Sequence, residues 1–404
     1  MNATALNNSQ SFRRSVPFTL ETLSERRVYI NIPSIIYTFI LLFIGIPGNA
    51  TVFYIYFTRW KKSSTRVFII ALAILDLTNC TLTFPFELAH MFNPFNFDFP
   101  VLCKLFRFTT YTCNSGGALL LIAIAVDRHM RICKPYKKPM NPKIAKLISI
   151  VIIVTSVATC WPSLIIYGIE VRRITPTIEL KFCLIETRYR DTQYPLAYLL
   201  VQCACTIVIF IVLVVIYSII GAQVCRRWKF RTTSLKSVGD GDDGVIADIS
   251  SINCNDKDDS VWKDDEEKDN NSSLVNENEP KMKPDVARLP YLSQSSTMLK
   301  KKKVFDSRAI RIGKTTIMLF VVTIAYILCF SPFLGLASHR SIYPERWEKL
   351  SQAGETLYQF FLRSYLANCA INPIIYSYFN RIFRQECVKF YRKLFCTKQN
   401  VYRP

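Results

Sequence analysis

The chain has 404 residues, half of them apolar, with 28 Phe, 20 Tyr and a formal charge of +21. That length would ordinarily divide into two or three soluble domains. Here, however, the apolar residues gather in blocks long enough to cross a bilayer, which needs about 20 residues per helix, and this excludes an ordinary soluble chain. The charge alone would suit a nucleic-acid binder, but its placement in the loops between apolar blocks does not.

Residues 1–31 read as a polar tail. The opening "MNATALNNSQSFRRSVPF" contains no apolar h-region, so no signal peptide is read and the first span is expected to act as its own insertion signal. Asn2 and Asn7 lie in glycosylation sequons within this tail. Seven apolar blocks follow, at roughly 33–58, 67–91, 102–127, 144–168, 194–222, 315–338 and 355–378. Stretches such as "CTIVIFIVLVVIYSII" are apolar all round, where a soluble amphipathic helix would show a polar face. The expected organisation is five spans over 32–225, a loop over 226–305, two spans over 306–378, and a tail over 379–404. The fold class is an all-α membrane protein, a seven-helix transmembrane bundle with a short amphipathic eighth helix.

Basic residues mark the cytoplasmic side. The loop between blocks one and two carries Arg59, Lys61, Lys62 and Arg66. The loop between three and four carries Arg131, Lys134, Lys137, Lys138, Lys143 and Lys146 without an acid, while loop 92–100 has no Lys or Arg. With seven spans, this bias puts the N-terminus outside and the C-terminus inside. Of 14 cysteines only Cys103 and Cys183 then lie outside. Two thiols in an oxidising compartment are most simply read as one disulfide, the alternative being two unpaired cysteines. The hairpin-like "GIEVRRITPTIELKFCLIE" has alternating stretches on either side of "TPT", with Cys183 on the return.

Half of the chain's 30 acidic residues sit at 240–285 in an Asn- and Ser-rich stretch that cannot bury enough apolar surface to offset its ordering entropy. The loop is therefore expected to be disordered. After block seven, "FNRIFRQECVKFYRKLFC" places Phe379, Ile382, Phe383, Phe390 and Leu394 near one helical face, as an amphipathic helix on the inner leaflet would. Cys396, and less so Cys387, are palmitoylation candidates, with unmodified thiols as the alternative.

Polar groups inside spans are costly and usually face the bundle interior. Asn49, Asp76, Asn368 and Asn372 are such groups, and Pro332 and Pro373 interrupt the hydrogen-bond ladders of spans six and seven. A lone intramembrane Asn is ordinary interhelical glue. An Asp with several Asn on neighbouring helices instead suggests a hydrated core able to exchange hydrogen bonds.

The set "GIPGN", "LAILD", "DRH" followed by "CKP", "CW" in span four, "YILCFSP" and "NPIIY" resembles the rhodopsin-like G-protein-coupled receptors. The spacing agrees with that pattern, since Cys103 precedes Arg128 by 25 residues. The resemblance implies that Asp127 holds Arg128 in an inactive state and that span six swings to admit a heterotrimeric G protein. Tyr217 and Tyr376 would then support the freed arginine, and Ile132 and Pro135 would meet the G protein. Asp76, Asn368 and Asn372 match the family's sodium and water pocket, although Gly117 replaces a hydroxyl often used there. That leaves sodium doubtful, and no other cofactor or metal is expected. Tyr326 and Phe330 stand where Phe and Trp are common, Ile209 where proline is, and Ala118 where a larger aliphatic is; a small Ala facing a larger Tyr conserves volume, so a repacked relay is expected. Ile312 replaces the acid at the base of span six, leaving Asp127 as the main partner of Arg128.

Thr110 occupies the spot where amine receptors carry an aspartate, which disfavours amines, and span seven has no lysine for retinal. A peptide ligand, of the cholecystokinin or neuropeptide receptor type, fits the hairpin loop best. Glu87 and Arg107 should both lie near the outer cavity, either pairing with each other or contacting peptide termini and charged side chains. Asn114, Phe333, Arg340, Tyr358 and Tyr365 are further family-derived pocket positions. Arrestin and receptor kinases are possible partners of the Ser/Thr sites in the long loop. A lipid or other chemosensory ligand is the alternative within the fold, and a transporter or channel the distant one. An enzyme is not expected, because the three histidines fall in no HExxH or other catalytic pattern.

Overall fold

The computed structural model of the protein describes residues 19–176, 178–239, 291–343 and 350–396, with the backbone alone at 228–239, 291–314 and 395–396. The sequons at Asn2 and Asn7 lie outside these residues. The first helix, α1, is Leu20–Thr58. It starts well inside the stretch expected to be a tail, and the cause is local. Thr19 caps the helix, accepting from the Thr22 backbone N–H at 3.3 Å while the Thr22 hydroxyl reaches back to Thr19. The extension then docks on its neighbours: Asn31 Nδ2 donates to the Met91 carbonyl at 3.3 Å, and Arg27 lies 3.6 Å from Glu355.

Span two is α2, Ser64–Thr78, and α3, Phe84–Phe92, joined by a π turn at Asn79–Thr83. Pro85 cannot donate a backbone hydrogen bond, which favours a widened turn just before it. Span three is α4, Pro100–Cys133. Span four is α5, Pro142–Cys160, followed by the short α6, Ser163–Ile166. Strands β1, Tyr167–Thr175, and β2, Ile178–Ile185, form the expected antiparallel hairpin. The Phe97 N–H donates to the Lys181 carbonyl and the Lys181 N–H to that of Phe95, so the loop after α3 lies along β2.

Helices α7, Tyr194–Gly239, and α8, Tyr291–Ile342, carry spans five and six. Both ends of the 226–305 segment expected to be disordered are thus helical, because no Gly or Pro interrupts 222–238 or 291–312. Residues 240–290 lie outside the described residues. Span seven is broken into α9, Gln352–Phe361, a 3₁₀ turn at Ser364–Leu366, and α10, Ala367–Phe379. Both pieces pack on α1, and at about 1.5 Å per residue they cover roughly 40 Å, enough for a bilayer. The amphipathic α11, Arg381–Cys396, follows at once.

Six of the described helices are individually long and apolar enough to span a membrane. Phe43, Val154, Val208 and Ile211 are among many large apolar residues on their outer faces, more than half exposed. A collar of this kind is untenable in water and natural in lipid. Inside, one apolar core joins all seven spans, from Val52 and Phe68 through Leu120, Leu213 and Val322 to Tyr376. At Gly48 a Cβ would come within 2.9 Å of the Pro373 ring, so α1 and α10 meet backbone to ring. Pro373 also denies the Cys369 carbonyl its usual helical donor, and Asn49 Nδ2 fills that role at 2.7 Å while donating to the Gly45 carbonyl at 2.9 Å. Asn49→Ala is therefore expected to leave a buried carbonyl unpaired and cost about 1–3 kcal/mol. Thermal unfolding in detergent checks this, with the exposed Thr58→Ala as a near-neutral control.

Candidate functional site

Three polar groupings run through the bundle, and the first is built on the C-terminal end of α4, beside the basic loops. Asp127 and Arg128 are both buried. Asp127 accepts from Ser64 Oγ at 2.6 Å, Thr65 Oγ1 at 3.2 Å, Arg128 Nη2 at 2.6 Å and Arg131 Nε at 3.1 Å. Arg131 Nη2 also reaches Ser64 Oγ at 2.7 Å, and Arg128 contacts Thr65 Oγ1. The start of α2 thus supplies two hydroxyls and α4 two guanidinium groups to one carboxylate. The expected Asp127–Arg128 partnership is present, with Arg131, Ser64 and Thr65 as additional members.

Around this latch, the Tyr217 ring lies 5.2 Å from Phe320, and Tyr376 packs on Tyr56 at 6.2 Å. Both hydroxyls, and Arg128 Nε, are buried without a hydrogen-bond partner among the described residues. Pro135 is exposed, but Ile132 is buried in the core, so the structure does not offer Ile132 as an open contact surface. The side chain of Ile312 is not among those described.

The middle grouping joins span two to span seven. Asn372 Nδ2 donates to Asp76 Oδ2 at 2.8 Å, and Asn368 is buried one turn earlier on the same helix. Asn79, in the π turn, donates to Asn114 Oδ1 at 3.1 Å and to Cys369 Sγ at 3.3 Å and accepts from Thr83 at 3.0 Å. It links spans two, three and seven. It was not among the residues singled out from the sequence, although the proline six residues later was a usable signal. Tyr326 meets Phe330 in a tilted pair at 4.6 Å and Phe210 edge-on at 5.7 Å, and Ala118 is buried in the same core. Pro332 lies inside α8, and one turn before it Ser364 Oγ donates to the Cys329 carbonyl at 2.6 Å, pinning that turn to the break in span seven.

The outer grouping lies beneath the hairpin. A Cys103–Cys183 disulfide ties β2 to α4, with the Cα atoms 5.6 Å apart. Glu87 does not pair with Arg107. Its Oε1 accepts from Arg363 Nε at 2.7 Å, with both side chains buried. Arg363 stands in the turn where α9 ends, which brings it to α3, and sequence reasoning missed it. Arg107 instead donates to the Cys183 carbonyl at 3.2 Å and lies over the Phe106 and Tyr167 rings. Thr110 is buried, donating to the Phe106 carbonyl at 2.8 Å. Phe333 meets Tyr365 at 4.9 Å, and Arg340 Nη1 donates to the Tyr358 hydroxyl at 2.9 Å.

On α11, Phe383 is buried and Phe390 packs on Tyr54 at 4.6 Å, whereas Ile382 and Leu394 are exposed. Cys396 is the last residue of the helix, and its side chain is not described. The Cys387 thiol is half-buried, and that burial, with Glu386 adding to it, pushes it up to about 11. Its alkylation by iodoacetamide, in a chain whose other accessible thiols are replaced, is expected to be slow near neutrality. The rate should go on climbing beyond the ordinary cysteine value of about 8.5. A plateau by that value would show that the thiol is not shielded.

A bundle of seven spans with a charged latch at one mouth and a disulfide-tied hairpin over the other defines a membrane receptor. Residues 48–376 match the family described as 7 transmembrane receptor (rhodopsin family), and the chain belongs to it. It is accordingly a multi-pass membrane protein of a receptor family and not an enzyme. Among curated proteins it is similar to growth hormone secretagogue receptor type 1 of Rattus norvegicus, 27% identical over 198 residues, 46% of this chain and 52% of that one. It is also similar to the galanin-like G-protein coupled receptor npr-9 of Caenorhabditis elegans, 33% identical over 143 residues, 34% of this chain and 32% of that one. Proteinase-activated receptor 3 of Homo sapiens is 34% identical over 107 residues, 26% of this chain and 28% of that one. The chain thus spans about half the length of the first of these relatives and less of the others.

Proposed function

We propose that this protein is a cell-surface receptor that senses an extracellular peptide and activates a heterotrimeric G protein through outward movement of α8. The observation that carries the reading is the buried Asp127–Arg128 latch, closed by Ser64, Thr65 and Arg131 at the mouth that the basic loops assign to the cytoplasm. A guanidinium held there by one carboxylate is a group that a docking protein can take over. The partnerless hydroxyls of Tyr217 and Tyr376 are suited to receive Arg128 once it leaves Asp127. At the other mouth, the hairpin and the exposed Arg340 offer polar contacts to a peptide, and relatives named for growth hormone secretagogue and galanin-like recognition favour that class.

In this reading the N-terminus is extracellular, with glycans on Asn2 and Asn7, Cys396 is a palmitate site, and arrestin and receptor kinases act on the inner loop. Asp76 and Asn372 exchange hydrogen bonds as the bundle rearranges, and the Ser364–Cys329 contact transmits motion from the outer site to α8 near Pro332. A secreted-peptide library, screened on cells expressing the chain with calcium and cyclic-nucleotide readouts, tests it. A response lost in Arg128→Ala at unchanged surface expression supports the mechanism. A conductance persisting without any G protein points to a channel and overturns it.

A further inference from the structure

The outer grouping holds one carboxylate between two arginines. Glu87 lies in the field of both Arg363 and Arg107, but its hydrogen bond goes to Arg363 alone. Arg107 is left with a carbonyl and two aromatic faces. Rings and a carbonyl solvate a guanidinium without neutralising it, and one carboxylate cannot balance two guanidinium groups, so the grouping keeps an excess positive charge away from water, which is unfavourable. The remaining titratable groups facing Arg107 are the phenols of Tyr111, Tyr167 and Tyr365, while His90 stands beside Glu87. Arg107 Nε and Glu87 Oε2 are both enclosed without a hydrogen-bond partner among the described residues. The next guanidinium, Arg340 near the end of α8, is held by the Tyr358 hydroxyl and ring, again without an acid among the described residues.

We infer that Arg107 is the anchor for a ligand carboxylate, so that the peptide recognised here presents either a free C-terminus or an acidic side chain to the floor of the hairpin. The inference rests on the peptide-receptor reading for the ligand's class, but not on signalling. A carboxylate can accept two parallel hydrogen bonds from one guanidinium. It would also bring the grouping of Glu87, Arg107 and Arg363 from one excess positive charge to neutrality. Arg107 bonds to the backbone of Cys183, so its occupancy is felt by the hairpin directly. Through the Coulomb field on Glu87 it is also felt by Arg363 and the break in span seven.

The test uses the purified full chain and its thermal unfolding, which needs no G protein. N-acetylglycine represents a peptide C-terminus, N-acetylaspartic acid α-amide an acidic side chain, and N-acetylglycinamide the neutral isostere. Specific binding raises the unfolding temperature in step with ligand concentration. At least one of the two acids is expected to stabilise the wild type, the neutral amide to do nothing, and Arg107→Met to abolish the response. Whichever acid acts identifies the source of the carboxylate. Arg107→Met without ligand is expected to unfold near or above the wild-type temperature, because it removes the excess positive charge of the grouping while Glu87 keeps its pair with Arg363. Arg107→Lys keeps the charge without the two-pronged geometry and should respond more weakly than wild type. The inference is overturned if neither acid stabilises the wild type, if the amide matches the acids, or if Arg107→Met alone destabilises the chain, which would make Arg107 a structural prop. Should the acids bind while no peptide signals, the carboxylate site stands and the signalling reading fails.

Discussion

Asp127→Asn is expected to raise ligand-independent signalling and lower the unfolding temperature together. The carboxylate takes four hydrogen bonds, two of them from guanidinium groups, at 1% exposure. Asparagine removes the charge and leaves Arg128 buried without its counter-ion. Breaking one side of a buried pair costs about 3–5 kcal/mol. If that cost falls on the closed arrangement alone, the balance between closed and open shifts roughly 100-fold or more. Ser64→Ala removes one neutral donor to the carboxylate and should cost only about 1 kcal/mol. Arg131→Ala touches a partly solvated guanidinium and should do no more. A reporter assay without ligand, normalised to surface expression, reads the order Asp127→Asn well above Ser64→Ala. Background signalling from a well-expressed Asp127→Asn would refute the latch.

The second large effect belongs to the Glu87–Arg363 pair. Here the two halves are not equivalent, because a second guanidinium shares the carboxylate's field. Glu87→Gln leaves Arg107 and Arg363 facing each other with no acid among them, and a loss of about 3–5 kcal/mol is expected. Arg363→Gln leaves Glu87 with Arg107 still in its field, so the loss should be smaller. The double variant should be less damaging than the two single losses added together, as a coupled pair requires. Thermal unfolding of the four proteins closes the cycle. Equal and additive losses would mean that Arg107 does not act on Glu87.

Most of the architecture was legible because lipid imposes a coarse, strong pattern. Six spans announce themselves as unbroken apolar runs, and the hairpin by alternation around "TPT". Less visible were features set by short-range geometry. The N-terminal extension of α1 is polar on most faces, and only its Thr19 cap and its docking through Asn31 and Arg27 make it a helix. The break in span seven follows no Gly or Pro. Glu87 could be placed near the outer cavity, but two arginines were within reach, and helix rotation decides between them. Arg363 in "FFLRSY" looks like any cation near a helix end until the turn that carries it is seen. Ile132 was assigned to a contact face by position in a motif, whereas the packing of α4 turns it inward.

The broken seventh span also bears on how this chain is made. Its outer half carries Glu355 and Arg363 among few strongly apolar residues, and an arginine near the centre of an inserting helix costs about 2.5–3.5 kcal/mol at the translocon. Synthesis proceeds from the N-terminus, so α3 and its Glu87 are already in the bilayer when Arg363 emerges from the ribosome. The last helix is thus expected to insert with the help of the second, and biogenesis of the receptor to stall at that late step when Glu87 is neutralised.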